Sequence, residues 1–482
     1  MHIQSLLPLL LPVVLAEKPT TKKSSELTSP AKCCAELQNI LPEIVHFPDS
    51  DEYRSRLAKY YSQQQQSLTP ACTVKPQTAQ HVSSVMRFAE SSDCRFAVAS
   101  GGHMSWKGSS SIDSGFVIDL RDMNRVDVFP QDQKVVLGPG SVWQHVYSTL
   151  APYNLTVVGG RINEIGVGGF LAGAGIGGIG FSSTARGFGA DSVLNYEVVL
   201  YNGEIVNANA DTNPDLFWAL KLGGTNFGII TQFHMMTYAS PLIYGAVTAY
   251  AETKEVLSEV FADYEKHSHG NDNINVSKSV VRLKVSGLDM VMPVIVNTDG
   301  ISVPPMSSAE PIQHVDGIGS THDVVANVVA ATLESDARTS WHTFTTKVDT
   351  QLFMDIFAIA DKLFNPLTKD GLTLLTHKPV LLFFVTWTDP ADDIVMEEAT
   401  RKLGKMAEDE ARRRELVVDF LYLNYANGEQ KVFERSLTPE NLEKMRKIRD
   451  KYDPDKTLLK LWSGGYKLPE GPSDESHARD EL

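Results

Sequence analysis

Residues 157–180, VVGGRINEIGVGGFLAGAGIGGIG, constrain this chain more than any other stretch, because ten of the 24 are glycine. Glycine costs about 0.5–1 kcal/mol against alanine inside a regular element. Such density is tolerated where backbone must approach something closely or turn through positive φ, so the stretch reads as a loop around an anionic or planar ligand group. Gly173, Gly175 and Gly178 match G-x-G-x-x-G, and Glu197 follows about 20 residues later, as in a dinucleotide fingerprint. That fingerprint requires a strand before it and a helix after it. The next residues, IGFSSTARGFGADSV, add three glycines and make a poor helix. Glu197 itself falls in a hairpin strand. A glycine-rich loop of another kind is expected.

At 482 residues the chain is too long for one core and predicts two domains. An apolar fraction of 42% and a charged fraction of 21% are those of a globular protein. The net charge of -15 argues against nucleic acid or an anionic membrane as partner. No apolar run is long enough to span a bilayer. Residues 6–16, LLPLLLPVVLA, form a short apolar run ending in a small residue, which predicts a signal peptide cut after Ala16. The terminal Arg479-Asp480-Glu481-Leu482 resembles the K/H-D-E-L retention signal, read by a receptor. Together they predict the endoplasmic-reticulum lumen, with secretion as second choice. In that oxidising compartment Cys33, Cys34, Cys72 and Cys94 have reason to pair, with three connectivities open. Adjacent Cys33 and Cys34 are not expected to bridge each other. No C-x-x-C or His-rich segment suggests a metal site. Asn154-Leu155-Thr156 and Asn275-Val276-Ser277 are glycosylation acceptors.

Along the chain, residues 17–31 are polar and read as a disordered lead-in. Thr78 is placed to cap a helix with Val82, Val85, Met86 and Ala89 on one face. A strand over 96–99 runs into Ser100-Gly101-Gly102-His103, and Ser141 is placed to cap a helix carrying Trp143, Val146, Tyr147 and Leu150. Asn202-Gly203 between two strands predicts a hairpin with a type I′ turn. Beyond residue 240 amphipathic helices appear over 253–266 and 392–413. Between them 380–388 reads as a strand buried on both faces, and 416–425 as a further strand. No fixed repeat is present.

Neither a G-x-S-x-G elbow nor H-E-x-x-H is found. A histidine held by two glycines at a strand end is accessible to a ligand, which makes His103 the more informative residue. Its companions are Pro70-Ala71-Cys72, Gly138-Pro139-Gly140, Gly159-Gly160-Arg161, Gly166-Val167-Gly168-Gly169 and Asn195-Tyr196-Glu197-Val198-Val199. Further on come Asn213-Pro214-Asp215-Leu216-Phe217-Trp218-Ala219, Asn226-Phe227-Gly228-Ile229, Tyr422-Leu423-Asn424-Tyr425 and Tyr452-Asp453-Pro454. In combination these motifs resemble the FAD-linked oxidases of the vanillyl-alcohol-oxidase, PCMH-type fold, in particular the fungal berberine-bridge-enzyme-like group.

The resemblance implies an α+β fold: a two-part FAD-binding PCMH-type domain, closed by the C-terminal segment, with an inserted substrate domain of antiparallel sheet plus helices. The divisions are 1–16 signal peptide, 17–66 lead-in and helix, 67–238 FAD-binding domain, 239–415 substrate domain, 416–468 returning segment and 469–482 exposed tail. It implies FAD held covalently by His103 alone, since Gly166-Val167-Gly168-Gly169 lacks the cysteine of doubly linked relatives. Ser100, Gly101, Gly102, Gly159, Gly160, Gly166, Gly168 and Gly169 would cradle the pyrophosphate with backbone N–H groups. Asn424 would bond the flavin's pyrimidine edge, and Tyr422 would be the base, with its pKa of about 10 lowered to serve. A bridge from Cys33 or Cys34 to Cys94 is implied, with Cys34 and Cys94 as the candidate pair. The family's Arg-Ser-Gly-Gly-His-Ser reads Ala99-Ser100-Gly101-Gly102-His103-Met104 here, and its Ser-Tyr-Gly is missing near Glu434-Arg435-Ser436. Both differences bear on pocket polarity. The activity implied is oxidation of a small metabolite, with dioxygen as acceptor, in fungal secondary metabolism. An oligosaccharide C1 oxidase and a non-redox cyclase or binding protein are the alternatives, and pocket residues are expected on the strand over 381–388.

Overall fold

The computed structural model describes residues 27–173, 178–240, 242–270, 273–285, 288–329, 337–367, 372–377 and 380–471. The expected signal peptide, the terminal tetrapeptide and residues 174–177 of the glycine stretch lie outside them. Three sheets carry the architecture. In the first, Phe96–Ala99 runs parallel to Phe116–Asp119, which runs parallel to Thr73–Val74, with Val45–His46 antiparallel at the edge. Thr78 accepts the His81 N–H at 3.2 Å and opens the helix Ala79–Ser91. The apolar face of this helix, Val82, Val85, Met86 and Ala89, shares one core with Phe96, Phe116 and Ile118. The chain returns to this sheet at its far end: Trp462 bridges to Phe96 and the Ser463 N–H donates to the Phe96 carbonyl at 3.3 Å.

The second sheet is antiparallel, in the order Val126–Phe129, Lys134–Leu137, Ile229–Met236, Val193–Val199, Ile205–Asn209. Its Asn202-Gly203 hairpin forms, but among the turn residues only Gly203 takes positive φ, +78°, which rules out type I′. Glu197 sits on Val193–Val199 and accepts the Thr231 hydroxyl at 2.8 Å, a use within the sheet.

Eight antiparallel strands make the third sheet: Gln313–Gly319, Ile243–Ala251, Leu288–Asn297, Val276–Val285, Leu372–His377, Val380–Trp387, Arg338–Thr346 and Val417–Val418. Val380–Trp387 is buried along nearly its whole length, as its apolar residues from Val380 to Val385 predict. The helices Lys254–Gly270, Thr350–Phe364 and Asp393–Arg413 back the sheet, with Phe261 packed on Phe353 and Phe357. No described helix is long and apolar enough to cross a membrane.

Four local expectations are corrected. The lead-in ends early, because Pro30 opens the helix Pro30–Ile40. Ser141 is not the cap of Trp143–Leu150; Val142 holds that position, and the Ser141 hydroxyl donates to the Asn124 carbonyl at 2.7 Å. The strand over 416–425 shrinks to Val417–Val418, and Leu423–Tyr425 is a 3₁₀ turn. The candidate pair Cys34 and Cys94 does not form: Cys33 bonds Cys94 and Cys34 bonds Cys72. Neighbours on a helix point about 100° apart, so the two cysteines of Pro30–Ile40 reach different partners.

Candidate functional site

The three sheets enclose a cavity of about 230 Å³. Ser100, Gly101, Gly102 and His103 form one wall, directly after the strand Phe96–Ala99 ends. Gly166, Gly168, Gly169, Phe170 and Gly173 form a second, and the turn from Tyr422 to Tyr425 a third. Trp341 and Leu382, from adjacent strands of the eight-stranded sheet, face them. The two glycine walls touch main chain to main chain. A Cβ on Gly101 would lie 2.7 Å from the Gly166 nitrogen, and one on Gly166 2.5 Å from the Gly101 nitrogen. The Ser100 hydroxyl donates to the Pro139 carbonyl at 2.6 Å, and a Cβ on Gly168 would crowd that same oxygen at 2.9 Å. Gly169 differs: it lines the cavity, and among the described residues nothing beyond its own helix lies within 4 Å of where its Cβ would stand. Gly159 and Gly160, expected in the cradle, do not line this cavity. They pack on the Trp143 ring, which a side chain at either position would overlap.

His103 stacks on Tyr61, with ring centroids 4.1 Å apart, and burial pushes its imidazole down to about 4. At neutral pH the ring is therefore uncharged with a free lone pair. Behind the loop lies Arg56, fully buried, whose Nη1 donates to the Ser100 carbonyl at 3.0 Å and stands 3.5 Å from Asp119. Its guanidinium rests 4.2 Å over Tyr60, and Gly102, at φ +74°, leaves the space that Nη2 occupies. Sequence reasoning missed Arg56, which sits on the helix Asp51–Ala58, among charged residues that look solvated. It brings a cation under the loop of His103.

On the third wall the Tyr422 hydroxyl accepts the Ile179 N–H at 2.9 Å and the Asn424 amide at 3.1 Å. The Asn424 amide also donates to the Phe170 carbonyl at 3.3 Å, so Asn424 joins the second and third walls. Burial pushes Tyr422 up to about 12, with the neighbouring Tyr425 adding to the rise. This is opposite to the direction its expected role requires. The Asn424 and Ile179 hydrogen bonds and the Arg161 charge pull the other way but do not prevail. Arg161, the last residue of the Gly159-Gly160-Arg161 motif, donates from its guanidinium to the Tyr425 hydroxyl and to the Ile179 carbonyl. Trp341 also escaped notice, although its alternation in the strand Arg338–Thr346 places it inward.

These residues fit an FAD. The open space over Gly169 admits a planar or phosphate group against bare backbone. The Ser109 hydroxyl and Trp341 indole N–H are buried on the cavity lining with no hydrogen-bond partner among the described residues, as expected of donors kept for a polar ligand. Of the two glycosylation acceptors, Asn154 is exposed at φ +53°, whereas Asn275 is half-buried and donates to Asp299 at 3.0 Å.

The FAD binding domain family matches residues 70–209, which include the loop of His103 and the glycine stretch. An FAD-dependent monooxygenase of Aspergillus calidoustus is 30% identical over 93% of this chain and 92% of its own. One from Penicillium roqueforti is 29% identical over 92% and 94%. Among solved structures, 6-hydroxy-D-nicotine oxidase of Arthrobacter nicotinovorans superposes with a TM-score of 0.75 at 19% identity, over 89% of this chain and 98% of that one. Berberine bridge enzyme of Eschscholzia californica does so with a TM-score of 0.72 at 14%, over 92% and 100%.

Proposed function

The chain belongs to the FAD-linked oxidoreductases of the berberine-bridge, PCMH type, and from that premise we propose that it oxidises a small, largely apolar metabolite at an alcohol or amine carbon. The observation that carries this reading is the convergence of His103, the bare backbone at Gly169 and the Tyr422–Asn424 turn on one cavity. Ser100 to His103 and Gly166 to Gly169 would hold the pyrophosphate side of FAD, and Asn424 its ring edge. Bound there, FAD supplies a two-electron acceptor. The neutral imidazole of His103 suits a covalent attachment to it. Tyr422 would take the proton from the substrate O–H or N–H on its phenolic oxygen, which requires the Asn424 and Ile179 hydrogen bonds and the Arg161 charge to outweigh its burial in the loaded site. Trp341 and Leu382 would position the substrate and exclude water. We assign dioxygen as the final acceptor, the endoplasmic-reticulum lumen as the compartment, with the terminal tetrapeptide as a receptor signal, and fungal secondary metabolism as the setting.

Acid-precipitated protein should stay yellow, and His103→Ala should release its flavin into the supernatant; a colourless wild-type pellet sinks the covalent link. Anaerobic mixing with candidate metabolites should bleach the flavin absorbance, and Tyr422→Phe should slow that bleaching by about 10²–10⁴. Unchanged absorbance during turnover would favour the non-redox alternative. The apolar walls, among them Ile162, Ile165, Phe233 and Leu382, weigh against an oligosaccharide. The names of the fungal relatives favour one second reading, a monooxygenase. Labelled dioxygen separates the two, since an oxidase leaves both oxygen atoms in peroxide and a monooxygenase transfers one to product.

A further inference from the structure

Arg161 stands out among the side chains around the cavity. Among the described residues no Asp, Glu or Lys lines that space, and apart from His103, which is neutral, Arg161 is the sole ionisable base there. Arg161 is partly buried, so its charge reaches solvent on one side while the other faces an apolar wall with nothing of opposite charge on it. Among the described residues no carboxylate stands within ion-pair distance of Arg161. Its partners are both neutral: Nε donates to the Ile179 carbonyl at 3.3 Å, and Nη2 donates to the Tyr425 hydroxyl. Two of the five N–H donors of the guanidinium are thus spent on holding it in place.

The aim of the group is fixed from both sides. Tyr425 is wedged edge-on between Tyr422, with centroids 4.8 Å apart, and Trp341, at 6.3 Å. The hydroxyl of Tyr425 therefore cannot swing away from the guanidinium without unpacking two aromatic contacts. Tyr422, at the other side of that ring, is itself held by Ile179 and Asn424. The result is one positive charge, with donors to spare, set beside the proposed proton acceptor in a pocket walled by apolar and aromatic side chains.

We propose that Arg161, braced by Tyr425, is an oxyanion anchor, and that the substrate of this enzyme is an organic anion: a planar or apolar body carrying a carboxylate, phenolate or enolate. The inference rests on the FAD-oxidoreductase reading of the same cavity. Arg161 accepts the anion through its remaining N–H groups, in the forked geometry that suits a carboxylate. This seats the apolar part of the substrate against Trp341 and Leu382 and turns its oxidisable carbon toward Tyr422. Arg161 is a specificity-determining residue in this scheme, and Tyr425 a positioning one.

The test uses the full-length, flavin-loaded protein and two probes of the same shape, benzoate and benzamide, which differ in charge at pH 7. Binding is followed by perturbation of the flavin absorbance and independently by the thermal unfolding midpoint. Benzoate is expected to bind about tenfold tighter or more, the range of a charge-assisted hydrogen bond. Arg161→Met should abolish that preference, Arg161→Lys should keep part of it, and Tyr425→Phe should weaken benzoate binding less than Arg161→Met does. Equal affinity for the two probes, no response to benzoate, or a preference that survives Arg161→Met overturns the proposal. Protein that purifies without flavin and takes up none overturns the flavoenzyme reading instead, and the thermal measurement still reports on the anion preference.

Discussion

Gly101 and Gly169 both line the cavity, yet a methyl group added to each would meet different surroundings. At Gly101 it would press on the Gly166 backbone. Gly101→Ala should cost about 1–3 kcal/mol, the usual price of overpacking, read by chemical denaturation. At Gly169, inside the short helix Val167–Ala172, a methyl group meets open space. Gly169→Ala should leave the fold as stable or raise it by up to about 1 kcal/mol, while lowering flavin retention during purification. Equal flavin retention in Gly169→Ala and wild type would remove Gly169 from the cradle. Glycine density in the sequence pointed to this region, but could not say which glycines make room for a ligand and which for the protein itself. Gly159 and Gly160 belong with the latter because Trp143 fills the space beside them. Arg56 was illegible for a related reason: only the folded chain brings the helix Asp51–Ala58 under the His103 loop.

At the scale of elements, the helix Pro30–Ile40 is fastened twice, by Cys33 to Cys94 and by Cys34 to Cys72. Replacing Cys34 and Cys72 together by serine should cost about 3–4 kcal/mol, as expected for a loop of that length, seen as a lower unfolding midpoint in non-reducing buffer. Elements with strong local signals were legible: the Thr78-capped helix, the hairpin at Asn202-Gly203, and the apolar strand Val380–Trp387. The segment after Val417–Val418 was not, although its apolar residues suggest a strand. Its hydrogen bonds go elsewhere, for the Ser436 hydroxyl accepts the Leu421 N–H at 3.0 Å and donates to the Leu421 carbonyl at 3.3 Å. That contact from the helix Val432–Ser436 lies where the family's Ser-Tyr-Gly is missing, and it steadies the turn that carries Tyr422 and Asn424.

Across the whole molecule, the eight-stranded sheet is joined to the C-terminal return through His342. Its ring packs against Gly404 of the helix Asp393–Arg413, and its Nδ1 lies 3.3 Å from the Asn427 amide. Burial, with Arg435 and Arg401 nearby, pushes the imidazole down to about 4. Unfolded, the same group takes up a proton near pH 6.5. Between those values the unfolded chain binds the extra proton, so stability is lost as pH falls from about 6.5 toward about 4. Thermal midpoints measured across that interval should fall, and His342→Gln should flatten the slope; an unchanged slope would exclude His342 as a contributor. The main-chain contact between Gly101 and Gly166 has a different kind of consequence. A floor built from touching backbones offers few positions at which mutation can adjust it, and a change in either loop of that floor is transmitted to the other. Novelty in what the enzyme accepts can therefore arise away from that contact, where Arg161, Trp341 and Leu382 can be exchanged one at a time, so that one unaltered chemical engine can be fitted with many different mouths.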